Sequence, residues 1–304
     1  MYLSFARQRG LSTCRVGLAA ALLGLAPTLL AAPICVVDDA QREVCLPTPA
    51  QRIASLSPGA TELVFAAGGG DRVVAVVAFS DYPPEARTLP SVGSHSRLDL
   101  ERLLTLQPDL AIVWGSGNPA EQLDALEDFG VPVFYLEPEN IEGIARAIER
   151  LARLTDSQAV GQQAAEHLRR GIAALAEQYR EAEPVTVFYQ VWNKPLMTVN
   201  DGHLIGQVIS LCGGRNVFAE LPRQIPRIDI EAVLIANPQV ILAGGMGEEN
   251  RYWLTEWRAY PSLQAVQQDN LFFIPPSLVQ RPTPRLLEGA RLLCESLETS
   301  RARR

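Results

Sequence analysis

Histidine is scarce in this chain: His95, His167 and His203 are its three copies in 304 residues. A zinc or manganese site asks for several histidines converging with a carboxylate, and His167 falls on an expected long helix, so a three-histidine centre has no support. No dense run of Lys or Arg occurs after the N-terminus, and the formal net charge is −7. Phosphate binding needs clustered cations, which argues against nucleic acid as a partner. A G-x-S-x-G turn is also missing. Ser116 lies in WGSGN, no Ser, His, Asp set stands out beside it, and a secreted hydrolase is disfavoured. The triple glycine 68–70 follows an expected helix and precedes Asp71, so it reads as a helix stop and turn, not as a phosphate cradle. No assembled catalytic site emerges, and the chain is not expected to be an enzyme.

What is present is ample apolar sequence, 47% of residues, enough for two ordinary domains. At the N-terminus Arg7, Arg9 and Arg15 precede VGLAAALLGLAPTLL, followed by Ala31, Ala32 and Pro33. That order predicts an export signal over residues 1–32, cleaved near Ala32. Pro27 inside the apolar run argues against a membrane-spanning helix, and APIC before Cys35 is a poor lipid-attachment signal. A soluble exported protein without stable membrane insertion is expected. Cys14 leaves with the signal, and the other four cysteines meet an oxidising compartment where disulfides persist. Three pairings are possible. Cys35 and Cys45 flank a candidate hairpin with DDAQ at its turn, which favours their union and leaves Cys212 with Cys294.

Beyond the signal, apolar β-branched runs (IASL, VVAVVAF, LAIVW, VPVFYL) alternate with helices expected near 60–67, 99–106 and 119–129. This is an α/β pattern with a largely parallel sheet. A helix near 141–154 carries Ile141, Ile144, Ile148 and Leu151 on one face. A longer one, Ser157 to Ala182, carries Val160, Ala164, Leu168, Ile172, Leu175 and Tyr179, and Pro184 ends it. Alternation resumes with VTVFYQVW, VILAG and LFFIP. The expected organisation is an N-terminal α/β lobe at 33–155, a connecting helix at 156–183 and a C-terminal α/β lobe at 184–304.

An internal repeat supports two related lobes. DLERLLTLQPDLAIVW at 99–114 and DIEAVLIANPQVILAG at 229–244 align at a constant offset, pairing Asp99 with Asp229, Glu101 with Glu231, Leu104 with Leu234 and Pro108 with Pro238. Each Asp is placed to cap a helix whose first turn carries the Glu, where the helix dipole favours a carboxylate. Capping explains the Asp well and the Glu only in part.

RIASLSPGATELVFAAG, AFSDYPPEA, LDLERLLTLQPDLAIVWGSGNP, PLMTVN, CGGRNVF and RPTPRLLEGARLLC together resemble the periplasmic cobalamin-binding proteins of ABC importers, over about residues 35 to 299. The SP-x-x-TE, DYPP and DLE elements also resemble those of binding proteins for iron siderophores and haem, the alternative ligands. The resemblance implies two Rossmann-like lobes with mainly parallel sheets, joined by one long rigid helix in the manner of class III periplasmic binding proteins. It implies a ligand cleft between them and no catalysis or cofactor, cobalamin being cargo. A monomer is expected to deliver that cargo to a dimeric ABC permease at the inner membrane.

A large, mostly apolar macrocycle calls for wide uncharged surface, which aromatic and thioether side chains supply. In such sheets ligand sits outside the carboxyl ends of the strands. Phe79, Trp114, Trp192 and Met197 follow strands in this way. Carried over from the resemblance, Phe79, Tyr82, Trp114, Trp192 and Met197 line the cleft, and His95 and Ile225 stand where tryptophans are found in a relative. His95 is expected to bond a ligand amide rather than cobalt. Arg281 and Arg285 lie late in the C-terminal lobe, placed either to face the ligand's amides or phosphate or to serve capping and surface roles, and Arg281 is taken as the ligand contact. Glu101 and Glu231 are implied to dock on the transporter.

Overall fold

The computed structural model describes residues 1–4, 32–245 and 247–303. Residues 5–31 of the expected export signal, with its three arginines and Cys14, lie outside the described residues. From Pro33 onward the chain forms one compact unit, and among the described residues no helix is long and apolar enough to cross a membrane.

A hairpin of β1 (Ile34–Val37) and β2 (Glu43–Leu46) opens the unit, with Cys35 opposite Cys45 in register and bonded to it. There follow β3 (Ile53–Ser55), α1 (Pro58–Ala66), β4 (Val73–Val76), the short ribbon β5 (Gly93–Ser94) and β6 (Arg97–Leu98), α2 (Leu100–Thr105), β7 (Leu110–Val113), α3 (Ala120–Asp128) and β8 (Val133–Tyr135). Next come α4 (Ile141–Leu154) and α5 (Gln158–Gln178). The second half contains β9 (Val185–Gln190), α6 (Leu204–Leu211), β10 (Gly214–Asn216), α7 (Ile230–Ala236), β11 (Val240–Ala243), α8 (Tyr252–Trp257), α9 (Gln264–Gln267), β12 (Leu271–Phe273), α10 (Pro276–Val279) and α11 (Leu286–Ala302).

Two four-stranded parallel sheets result, ordered β4-β3-β7-β8 and β10-β9-β11-β12. Counted within each sheet the order is the same, second strand, first, third, fourth. Each chain path therefore reverses direction between its first and third strands, where doubly wound sheets open a crevice at the strand carboxyl ends. Buried strands such as LAIV and VILA are apolar throughout because helices cover both faces. The fold is thus the two-lobed α/β class with mainly parallel sheets and one long helix between them.

The repeat has a structural counterpart. Asp99 caps α2 by accepting the Arg102 amide at 3.0 Å, and Asp229 caps α7 by accepting the Ala232 amide at 2.7 Å. Leu103 and Val233 are buried at matching positions, whereas Glu101 and Glu231 are exposed.

One apolar cluster runs from Phe134, Ile144 and Ile148 through Leu168 and Leu175 on α5 to Val187, Ile205 and Leu293. Two smaller clusters cover the outer faces of the two sheets. The long helix is shorter than the expected span 157–182: it ends at Gln178, well before Pro184, and its C-cap Tyr179 packs into the shared core beneath Arg301 of α11. Its buried stripe also differs. Val160 is exposed and Gly161 faces inward, since a Cβ on Gly161 would lie 2.3 Å from the Ala152 Cβ of α4. The glycine lets α4 and α5 approach closely, and three bonds of 2.9 Å or less from Arg169 of α5 to Glu142 and Glu149 of α4 tie the pair on its surface. The expected strand VVAVVAF pairs as β4 only to Val76, after which the chain bends so that Ala78 donates to Gly93 O.

At the start of α6, His203 Nδ1 accepts the Ile205 amide at 3.1 Å, which requires the neutral ring, and burial pushes its pKa down to about 4. The folded value lies below the ordinary 6.5, so the unfolded chain holds the proton more tightly. Stability is complete above about pH 6.5 and is lost as the pH falls from there toward 4, by up to about 3 kcal/mol. His203→Asn keeps a capping oxygen and cannot titrate in this range. We expect its urea midpoint to fall less steeply than that of the wild type between pH 6.5 and 4; parallel profiles would show that His203 is not the titrating group.

Candidate ligand-binding cleft

A cavity of about 560 Å³ opens between the carboxyl ends of the two sheets. Pro58 after β3, Phe79 after β4, His95 in the ribbon, Trp114 after β7 and Pro138 after β8 wall it from the N-terminal lobe. Glu248, Pro276, Gln280 and Arg281 wall it from the other.

Each aromatic wall is set by its own local chemistry. Phe79 leaves 76% of its surface exposed and adopts a left-handed backbone, φ 67°, an uncommon state for a bulky residue. Trp114 is held on both sides: its amide donates to Asn118 Oδ1 at 2.7 Å, and its indole Nε1 donates to Glu137 Oε1 at 3.1 Å. Gly117 permits this, because a Cβ there would fall 2.0 Å from the Trp114 ring. Buried Asn118 also donates to Leu56 O at 2.9 Å and His95 O at 2.8 Å, so one amide fixes three loops of the wall. The His95 ring lies 5.6 Å from that of Trp114. The SP-x-x-TE segment is the floor. Ser57 caps α1 through the Ala60 amide, Thr61 bonds Ser55 and Ser80, and Glu62 turns away from the cavity toward Arg281 and Arg285.

Of the residues expected at the ligand, Phe79, His95, Trp114 and Arg281 meet in this cavity. Trp192, Met197 and Ile225 are not among its walls. Trp192 stacks edge-on against Trp253 at 5.8 Å and donates to Lys194 O; Met197 bridges Trp192 and Arg227; Ile225 is exposed on the loop before α7. Tyr82 lies outside the cavity under the Arg285 guanidinium, 4.1 Å from its ring. Sequence reading missed Glu137 and Asn118. WGSGNP carried a signal for the second, since a glycine-spaced Asn is suited to satisfy a turn's own amides; Glu137 carried none.

Arg281 does not stand free to meet a ligand. It donates to Glu62 at 2.9 Å, to Asp81 at 2.8 Å and to Phe79 O at 3.2 Å. Burial alone would raise the Asp81 carboxyl, yet the hydrogen bond and charge of Arg281 outweigh it and hold the group below its ordinary range. The three histidines are apart: His95 at the cavity, His167 exposed on α5, His203 capping α6.

Two α/β lobes of one strand order, facing each other across an aromatic-walled cavity with a long helix between them, define a class III type of ligand-binding protein. A sequence profile of the periplasmic binding protein family matches residues 53–278, and the chain belongs to that family. The vitamin B12-binding protein of Vibrio cholerae serotype O1 is 40% identical over 252 residues, covering 83% of this chain and 91% of that protein. A crystal structure of the periplasmic vitamin B12 binding protein of Vibrio cholerae superposes with a TM-score of 0.75 at 38% identity, covering 83% of this chain and 98% of the other. The periplasmic heme binding protein HutB of Vibrio cholerae shares the fold at 24% identity, with a TM-score of 0.72 over 81% of this chain and 98% of that one.

Proposed function

We propose that this protein is exported to the periplasm by a cleavable signal over residues 1–32, captures cobalamin between its lobes and delivers it to an ABC importer in the inner membrane. The observation that carries the ligand reading is the cavity itself, in which Phe79, Trp114 and His95 present broad, largely uncharged faces suited to a flat macrocycle. The 40% identity to a vitamin B12-binding protein supports it. Trp192, Met197 and Ile225 extend the contact on the C-terminal rim, and Glu248 supplies a polar edge for the ligand's amides, Arg281 being held by Glu62 and Asp81. Glu101 and Glu231 are the docking residues, exposed at equivalent points of the two lobes and, among the described residues, without hydrogen-bond or ion-pair partners. The protein acts as a monomer.

The test is a visible absorption spectrum of purified protein incubated with cobalamin, haem or a ferric siderophore and then desalted. We expect the cobalamin bands alone to persist. Retention of a haem spectrum instead would move the reading to haem, with His95 the axial ligand to examine. Within the cobalamin reading, Trp114→Ala should weaken binding by about tenfold to a hundredfold, since one large aromatic contact is worth roughly 1–3 kcal/mol. Unchanged affinity by titration calorimetry would remove Trp114 from the contact surface.

A further inference from the structure

We propose that Glu62, which does not wall the cavity, is a positioning residue for it: acting through Arg281 and Arg285, it fixes the spacing of the two lobes and the orientation of the Phe79 peptide.

Glu62 lies on α1 of the N-terminal lobe with 2% of its side chain exposed. Its partners come from the other lobe. Arg281 Nη1 donates to Oε1 at 2.9 Å, Arg285 Nη2 to the same oxygen at 2.8 Å and Arg285 Nε to Oε2 at 2.9 Å. Among the described residues, the other ion pairs lie within one lobe, within α5 and the turn that follows it, or between α4 and α5. The Glu62 cluster, with Asp81, is thus where opposite charges meet across the cleft.

A buried carboxylate is tolerated only with cations and hydrogen bonds at close range, and separating such a pair leaves each charge desolvated and unmatched. Opening the cleft by a few ångströms would break the three bonds to Glu62 and the Arg281–Asp81 bond together. The segment that delivers both arginines is stiff, because Pro282 and Pro284 fix two of the backbone angles between them. Stacking of Arg285 on Tyr82 adds a second grip on the N-terminal lobe.

The same cluster reaches the ligand wall. Arg281 Nη2 donates to the carbonyl of Phe79, whose backbone is left-handed and makes no other hydrogen bond among the described residues. The opposite lobe therefore helps to hold the exposed ring, and lobe spacing is coupled to wall shape.

The distance arm of the test needs no ligand. Spin labels at Asp128→Cys and Ser262→Cys, both exposed and in different lobes, report the spacing by double electron–electron resonance in the apo protein. We expect one narrow distribution for the parent and a broader one shifted to longer distance with Glu62→Gln. The ligand arm rests on the cobalamin reading: dissociation should quicken roughly tenfold or more, with little change in association, as for a truncated buried charge pair. An unchanged distance distribution in Glu62→Gln overturns the proposal. Failure of the parent to retain cobalamin overturns the ligand reading and leaves the distances to decide. If Glu62→Gln does not fold, Asp81→Asn at the cluster's rim should broaden the distribution more modestly, and parental distances there overturn the proposal.

Discussion

Cobalamin uptake should fall to background in cells whose protein carries Glu101→Arg together with Glu231→Arg, while the purified variant retains cobalamin as the parent does. Both carboxylates project from first turns of capped helices, α2 and α7, and both are exposed. Their lobes share one strand order and carry the glutamates at equivalent positions, the arrangement that docking on paired arginines of a dimeric permease would use. If the residues served only the helix dipoles, reversal would cost about 0.3–1 kcal/mol each in stability and leave transport intact. The measurement is whole-cell uptake of labelled cobalamin at matched periplasmic abundance. Uptake at the parental rate would return both glutamates to helix capping.

The largest stability effect is expected from Cys212→Ala with Cys294→Ala. This disulfide joins the C-terminal end of α6 to α11 across a separation of 82 residues, and both cysteines are wholly buried. Loop-closure entropy assigns it about 4–5 kcal/mol, against about 3 kcal/mol for the Cys35–Cys45 link with its separation of 10. Urea unfolding of the two double variants should rank them in that order. An equal or smaller loss for the longer link would show that native contacts between α6 and α11 already do the work of the bond.

Much of the architecture was legible because it is written in local patterns. Asp99 and Asp229 announced their helices by capping chemistry, and apolar runs such as LAIV could be read as buried parallel strands. Phe79 and Trp114 could be placed because strand carboxyl ends in an α/β sheet point to a crevice, and His95 was placed by the resemblance. The rule locates a rim, however, not which way a side chain turns upon it. Trp192 obeys the rule and still packs on Trp253, because the NKPL turn bends back over its own lobe. The least legible features join residues far apart in sequence. Arg281 meets Glu62 across 219 residues and Trp114 meets Glu137 across 23, so no periodicity or spacing marks either pair. Val160 misled for a simpler reason: an apolar residue fitted the helical period, whereas the helix crossing demanded the glycine beside it.

The apolar cluster that runs unbroken from one sheet through α5 to the other limits how such a protein can diversify. A substitution inside it is felt by both lobes together, since close-packed interiors transmit any change in volume. Loops beyond the strand ends carry no such burden. Exposed wall side chains such as those of Phe79 and His95 can change while Asn118 and Gly117 keep the loops in place, so the chemistry facing the cavity can drift on an intact scaffold. The frame can thus stay fixed while the mouth varies, and a heme binding protein shares this fold at 24% identity.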